Sequence, residues 1–198
     1  MSKTAVLAQL RKTDFPQNTG RKNNLHAGQN YSLSMVLGQT MKMFCSKEKD
    51  PQRCRRPSRH NKKYPELLNL SKALLKSHAP RYAFHSVTIN KNHASAKHVD
   101  RNNKGFSYII GLGKYTGGQL VFDSGPYKGV HNIKNKWLKF KGDHPHWVKP
   151  FKGERYTLVF YHWAWSNKSR FLSEVGEVIN HGARQPYTRV SLSLVPGC

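Results

Sequence analysis

The spacing of apolar positions along this chain changes character near residue 81. Between residues 66 and 77, leucines fall at 67, 68, 70, 74 and 75, a spacing that gathers them on one face of a helix. Pro65 opens that helix, where a missing N–H costs nothing, and Pro80 closes it. Beyond Arg81 the apolar runs become short and extended. Segments 82–90, 93–99, 106–112, 119–123, 137–140 and 155–162 read as strands, divided by Asn-Lys, Gly-Gly, Gly-Pro and Lys-Gly-Asp turns. Many short strands with little helix between them predict a mainly β, α+β domain. The expected architecture is a double-sheet jelly roll or a barrel, with the helix packed outside. Segment 155–162 is apolar on both alternating faces, the mark of a strand buried on both sides.

The flanking regions are less regular. Residues 1–30 mix Pro16, Gly20 and Gly28 with many Asn, Gln and Lys, and are expected to form a basic, flexible arm. Their few apolar positions are Ala5, Val6, Leu7 and Leu10. Segment 31–44 carries Leu33, Met35, Val36, Leu37, Met41, Met43 and Phe44, enough for a short element resting on the core. The expected organisation is an arm over 1–30, an extension with the helix over 31–80, and a core with a C-terminal extension over 81–198. That last extension would include a helix near 169–180 and an apolar run at 190–195.

Charge alters the picture more than composition does. The chain has 198 residues, 37% of them hydrophobic, and carries 34 Lys+Arg against 10 Asp+Glu, a net charge of +24. Residues 1–63 hold 14 basic and 3 acidic side chains, and residues 81–161 hold 14 and 4. The excess therefore belongs to the candidate core as well as to the arm. Such a field favours a polyanion, most commonly nucleic acid. Arg53, Arg55, Arg56, Arg59, Lys62 and Lys63 form the densest basic stretch and are the candidate phosphate contacts. Three cysteines, Cys45, Cys54 and Cys198, are too few for a disulfide framework and fit a reducing compartment. Cys45, Cys54 and His60 match no familiar zinc spacing. No apolar stretch approaches the roughly 20 residues of a membrane span, and no secretory apolar region follows the start. The expected location is intracellular, in the nucleus or another DNA-containing compartment.

Three segments carry candidate chemistry. His98-Val99-Asp100 places an imidazole and a carboxylate two residues apart, on one side if the segment is a strand. Alone, that triplet is weak. A second histidine, His146 or its neighbour His144, precedes the 155–162 strand. Arg155 stands at the head of that strand. Directed inward, it would need a fixed anion, because an unpaired buried charge is prohibitive; a dicarboxylate would suit its planar fork. At the strand mouth it could instead meet water or Glu154. Two histidines and a carboxylate describe the facial triad of non-haem iron(II). Asn90, Asn92 and Asn103 flank the triplet as candidate positioning residues, and are equally good turn formers.

The order of these pieces resembles a known family. His-x-Asp, then Gly117-Gly118-Gln119-Leu120, then a histidine with an arginine nine residues later is the order of the 2-oxoglutarate/iron(II) oxygenases. Within them, the segments at 89–92, 98–105, 113–120 and 151–160 resemble the branch of the TET and J-binding-protein nucleic-acid oxygenases. The likeness covers about residues 84–161, under half of the chain. It implies a double-stranded β-helix core with iron held by His98, Asp100 and His146, and His144 as the alternative distal ligand. It implies 2-oxoglutarate gripped through Arg155, with Asn90 and Asn103 nearby, dioxygen as oxidant and ascorbate as reductant. The implied activity is hydroxylation of a methyl-bearing base, 5-methylcytosine or thymine, in nucleic acid, most simply DNA. A base inside a duplex cannot reach such a site, so flipping or single-strandedness is required. Trp147, Tyr115 and Tyr127 are candidate stacking residues. Two other readings compete: a hydroxylase of a protein side chain or small molecule, and a non-catalytic basic nucleic-acid-binding protein on the same scaffold.

Overall fold

The computed structural model describes residues 2–41, 55–100 and 103–163. Arg53, Cys45, Cys54, Phe44 and the elements expected near 169–180 and 190–195 lie outside the described residues.

The described residues are mainly β, with two α-helices. The large sheet is antiparallel, in the order β1 (Gln17–Asn18), β2 (Ser32–Met41), β4 (Ser86–Lys91), β12 (Tyr156–Trp163), β5 (Asn103–Leu112) and β9 (Trp137–Phe140); β3 (Arg55–Pro57) pairs with β2. A three-stranded sheet joins β10 (His146–Val148), β7 (Leu120–Phe122) and β8 (Gly129–His131), and a pair joins β11 (Phe151–Gly153) to β6 (Tyr115–Gly117). No helix among the described residues is long and apolar enough to cross a membrane.

Alternation along the large sheet creates two compartments. Met35 and Leu37, Val87 and Ile89, Ile110 and Leu112, and Tyr156, Leu158 and Phe160 form one core. The helices α1 (Lys3–Lys12) and α2 (Pro65–His78) cover it with Val6 and Leu10, and with Leu67, Leu74 and Leu75. Each such side chain stabilises by about 1.5–3 kcal/mol relative to exposure. On the opposite face Ile109 meets Leu120, Phe122, Phe140 and Val148 between the sheets. The same face of β12 presents Thr157, Val159 and Tyr161 to a cavity.

The structure departs from the expected pattern in two places, the arm and the 93–99 strand, and it gives the 31–44 element its type. The segment expected as a flexible arm contains a helix at Lys3–Lys12, capped by the Ser2 side chain, which accepts from the Thr4 N–H at 3.1 Å. Val6 and Leu10, one helical turn apart, are fully buried there. The 31–44 element is a ten-residue strand. The 93–99 strand reduces to an isolated antiparallel bridge between His98 and His146. The ladder cannot continue because Asp143-His144-Pro145 intervenes before the next contact, Asp100 N–H to Gly142 O at 2.8 Å, and Pro145 has no N–H to donate.

Candidate metal centre and co-substrate cavity

Two backbone hydrogen bonds fix the distance between the candidate histidines. His98 N–H donates to His146 O at 3.0 Å and His146 N–H to His98 O at 2.9 Å, so the rings lie 4.4 Å apart. His98 Nδ1 sits 2.8 Å from Ala96 O, and His146 Nδ1 sits 2.8 Å from His144 O. A carbonyl only accepts, so each Nδ1 carries a proton and each Nε2 is the nitrogen turned toward a ligand. Burial, then the neighbouring His146, pushes the His98 pKa below its ordinary value, favouring the neutral ring that a metal requires.

Asp100 completes the group. Its Oδ1 is 3.6 Å from His98 Nε2 and its Oδ2 is 3.9 Å from His146 Nε2. Both separations are shorter than two bonds of about 2.1 Å to a shared cation. The donor atoms of His98, Asp100 and His146 all lie within 4.8 Å of one another. Asn103 Nδ2 donates to Asp100 Oδ2 at 3.1 Å and holds the carboxylate in place. His144 does not join them: its ring packs over Gly125 and lies 3.7 Å from the Asp143 carboxylate.

Gly142 gives the carboxylate its room. A Cβ there would fall 2.7 Å from Asp100 Cβ and 2.8 Å from Oδ2, so Gly142→Ala must displace the ligand. The expected loss of iron affinity is about 10- to 100-fold, the cost of disturbing an outer support, read by iron titration. Unchanged affinity would show that Asp100 is not a ligand.

The cavity beside this group, about 310 Å³, is walled by both sheets and reaches Arg155. Arg155 is 1% exposed. Its Nη1 donates to His93 O and its Nη2 to Gly118 O, both at 3.1 Å, and its Nε has no partner. Tyr115 and Phe151 flank the guanidinium, with ring centroids 5.5 and 5.3 Å away. Among the described residues no carboxylate pairs with it. Burial accordingly pushes its pKa down. Gly118, at φ +67°, leaves space that a Cβ would take, 2.8 Å from Arg155 Nε. Asn92 fastens the strand head: its side-chain oxygen accepts from Arg155 N–H at 2.8 Å and its own N–H donates to Arg155 O at 2.7 Å.

Sequence reasoning missed several wall residues. His93 is 8% exposed with its Nε2 unpartnered, and burial with nearby Arg21 pushes its pKa down to about 4. Arg21 enters from the supposed arm. Its Nη1 donates to Asn90 Oδ1 at 3.4 Å, and with the Asn24 amide turned toward it the Asn24 oxygen accepts from Nε and Nη2 at 3.2 and 3.0 Å. Asn90 in turn donates to Thr157 Oγ1 at 2.9 Å. Nothing in the sequence around Arg21 or His93 signals a site. A second cleft, about 850 Å³, opens outward from the same group, lined by Arg21, Lys97, Asn103, Tyr161 and Trp163.

The remaining candidates lie elsewhere. Arg55 and Arg56 are on β3, Arg59 and Lys62 are in the following turn, and Lys63 pairs with Asp14 at 3.7 Å; none of them lines the cavity or the outer cleft. Tyr115 is buried against Arg155 and offers no ring face for stacking, whereas Tyr127 is half-buried and packs on Phe122 with ring centroids 5.6 Å apart. Trp147 is partly exposed, with Lys97 Nζ 5.4 Å from its ring centroid.

An iron ion and a keto-dicarboxylate fit these residues. Three convergent donors have free lone pairs, and a buried guanidinium with an unpartnered Nε faces the same cavity.

No family model matches the sequence, and no curated protein matches it. Solved structures do. NgTET1 in complex with 5mC DNA superposes with a TM-score of 0.53 at 14% identity, over 90% of this chain and 77% of that one. A 2OG-Fe(II) oxygenase family oxidoreductase from Burkholderia pseudomallei gives 0.49 at 16%, over 80% and 76%. OsALKBH1 gives 0.44 at 11%, over 80% and 90%. At such identity the first likeness speaks for the fold, a double-stranded β-helix.

Proposed function

We propose that this chain is an iron(II)- and 2-oxoglutarate-dependent dioxygenase that hydroxylates a methyl-bearing base in nucleic acid. One observation carries the reading: two imidazoles and a carboxylate share a cavity with a buried guanidinium that no protein carboxylate neutralises among the described residues. His98, Asp100 and His146 hold the iron; Arg155 takes the distal carboxylate of 2-oxoglutarate through the N–H groups left over from its two carbonyl contacts. Iron with its co-substrate supplies oxidative decarboxylation to succinate and carbon dioxide, coupled to insertion of an oxygen atom into a C–H bond. The protein's share is orientation and a dry cavity. Asn103 and Gly142 set the carboxylate, the Ala96 and His144 carbonyls set the rings, and Asn92 sets the arginine. The outer cleft leaves room for an extruded base beside the metal group.

The net charge of +24 supports a nucleic-acid substrate. Incubation with iron(II), 2-oxoglutarate, ascorbate and methylated or unmodified DNA, followed by nucleoside mass spectrometry, is expected to give succinate together with a hydroxymethyl base. Succinate formation that no nucleic acid stimulates would redirect the substrate to a protein side chain or small molecule. Nucleic-acid binding with no succinate under any condition would leave a non-catalytic scaffold.

A further inference from the structure

The outer face of the β5–β9 ribbon carries a feature that neither the cavity nor the outer cleft uses. Phe106 on β5 is 37% exposed. A single exposed phenylalanine is ordinary; its company is not. Lys139 Nζ lies 4.1 Å and Lys141 Nζ 5.5 Å from the Phe106 ring centroid. Two ammonium groups therefore sit no more than about 10 Å apart, close to a Debye length at physiological salt, and exposed Lys104 adds a third charge on the same strand. Three basic side chains have acid partners: Arg11 pairs with Glu154, Lys63 with Asp14 and Lys97 with Asp123. Among the described residues no acid pairs with Lys104, Lys139 or Lys141.

The backbone ties this patch to the metal group. Lys104 follows Asn103, whose amide holds Asp100 Oδ2, and Lys141 precedes Gly142, whose carbonyl accepts the Asp100 N–H. Ser107 pairs with Phe140 and Tyr108 with Lys139, so Phe106 and Lys139 lie on the face of the β5–β9 ribbon that bears Tyr108 and Trp137, opposite the face on which Ile109 and Phe140 wall the cavity. Tyr82 stiffens the strand by donating its hydroxyl to Phe106 O at 2.5 Å.

We infer that the outer face of the β5–β9 ribbon, formed by Phe106 with Lys104, Lys139 and Lys141, is a platform for single-stranded nucleic acid. An unpaired base stacks on the Phe106 ring and the lysines meet the flanking phosphates. The inference rests on the nucleic-acid reading above and moves the main grip from the basic 53–63 stretch to this face. Aromatic stacking accepts any base, and like charges without acids are relieved by phosphate.

The test uses the full chain and a fluorescein-labelled oligothymidine, with anisotropy followed across a salt series and no iron added. Phe106→Ala is expected to weaken binding about 5- to 100-fold, the value of one stacked base. Phe106→Trp should keep the affinity, with indole fluorescence quenched on binding, a response that a merely structural role would not give. Lys139→Gln with Lys141→Gln should flatten the slope of log affinity against log salt by about 1.4, two phosphate contacts on a single strand. All variants should decarboxylate 2-oxoglutarate without DNA at the wild-type rate. Wild-type-like binding by Phe106→Ala, or indole fluorescence in Phe106→Trp that ignores the oligonucleotide, would overturn the platform while leaving the nucleic-acid function standing. Equal binding of poly-glutamate would overturn it in favour of an acidic protein. A wild type that binds no oligonucleotide, and whose succinate formation DNA does not stimulate, would remove both.

Discussion

Asp100→Ala is expected to abolish iron-dependent succinate formation while shifting oligonucleotide affinity by less than about 3-fold, since the phosphate contacts lie outside the cavity. Asp100 is the single carboxylate among the residues that line the cavity. Two imidazoles alone hold a divalent cation weakly and leave its charge unneutralised in a buried place. The loss should exceed the about 10- to 100-fold that removing a supporting partner costs. The substitution takes away an acceptor rather than core volume, so thermal unfolding of the metal-free chain should change little. Iron titration and succinate assays on the same preparation separate lost metal from lost fold. Full turnover in this variant would dismantle the proposed ligand set.

Arg155→Met is expected to weaken 2-oxoglutarate binding by about 30-fold or more, because truncating one partner of a buried charge pair costs about 2–5 kcal/mol. Two effects of similar size oppose each other in the unliganded chain. Loss of the guanidinium removes a charge whose burial is costly, and it also strips His93 O and Gly118 O of their donors. The melting temperature without ligand should therefore move less than the rise that 2-oxoglutarate produces in the wild type, about 2.7 kcal/mol at a hundred times Kd. At the same 2-oxoglutarate concentration that rise should shrink in the variant to about 0.9 kcal/mol or less. Calorimetry with and without 2-oxoglutarate checks both halves; a ligand-induced rise of wild-type size would place the dicarboxylate elsewhere.

What the sequence made legible was what period and spacing can encode. The leucines of α2 and the two-sided apolar run of β12 are long enough for their periodicity to show, and both elements occur within a residue or two of their expected bounds. His98, Asp100, His146 and Arg155 were legible as candidates through the order of motifs that resembles the oxygenase family; residue type and spacing alone left His144 and a solvent-facing Arg155 open. The three-residue strands β6, β8, β10 and β11 were not, since three residues cannot display a period. Helix α1 was hidden because its burial is supplied by partners far along the chain; Val6 and Leu10, one turn apart in a ten-residue segment, are too few to mark a core by themselves. Gly118 and Gly142 read as turn formers, yet each also clears space for a functional side chain, a role only three-dimensional proximity reveals. His98 and Asp100 do converge, but through separate contacts with His146 and Gly142 rather than through a regular strand.

Strand β12 separates the cavity from the helix-covered core, with Thr157, Val159 and Tyr161 on one side and Tyr156, Leu158 and Phe160 on the other. Inserting or deleting one amino acid inside it would exchange the two sets, turning greasy side chains toward the co-substrate and hydroxyls toward the leucines. Length variation here is therefore confined to the bends at either end, and any descendant of this gene that still works must keep the count between Arg155 and Tyr161 unaltered.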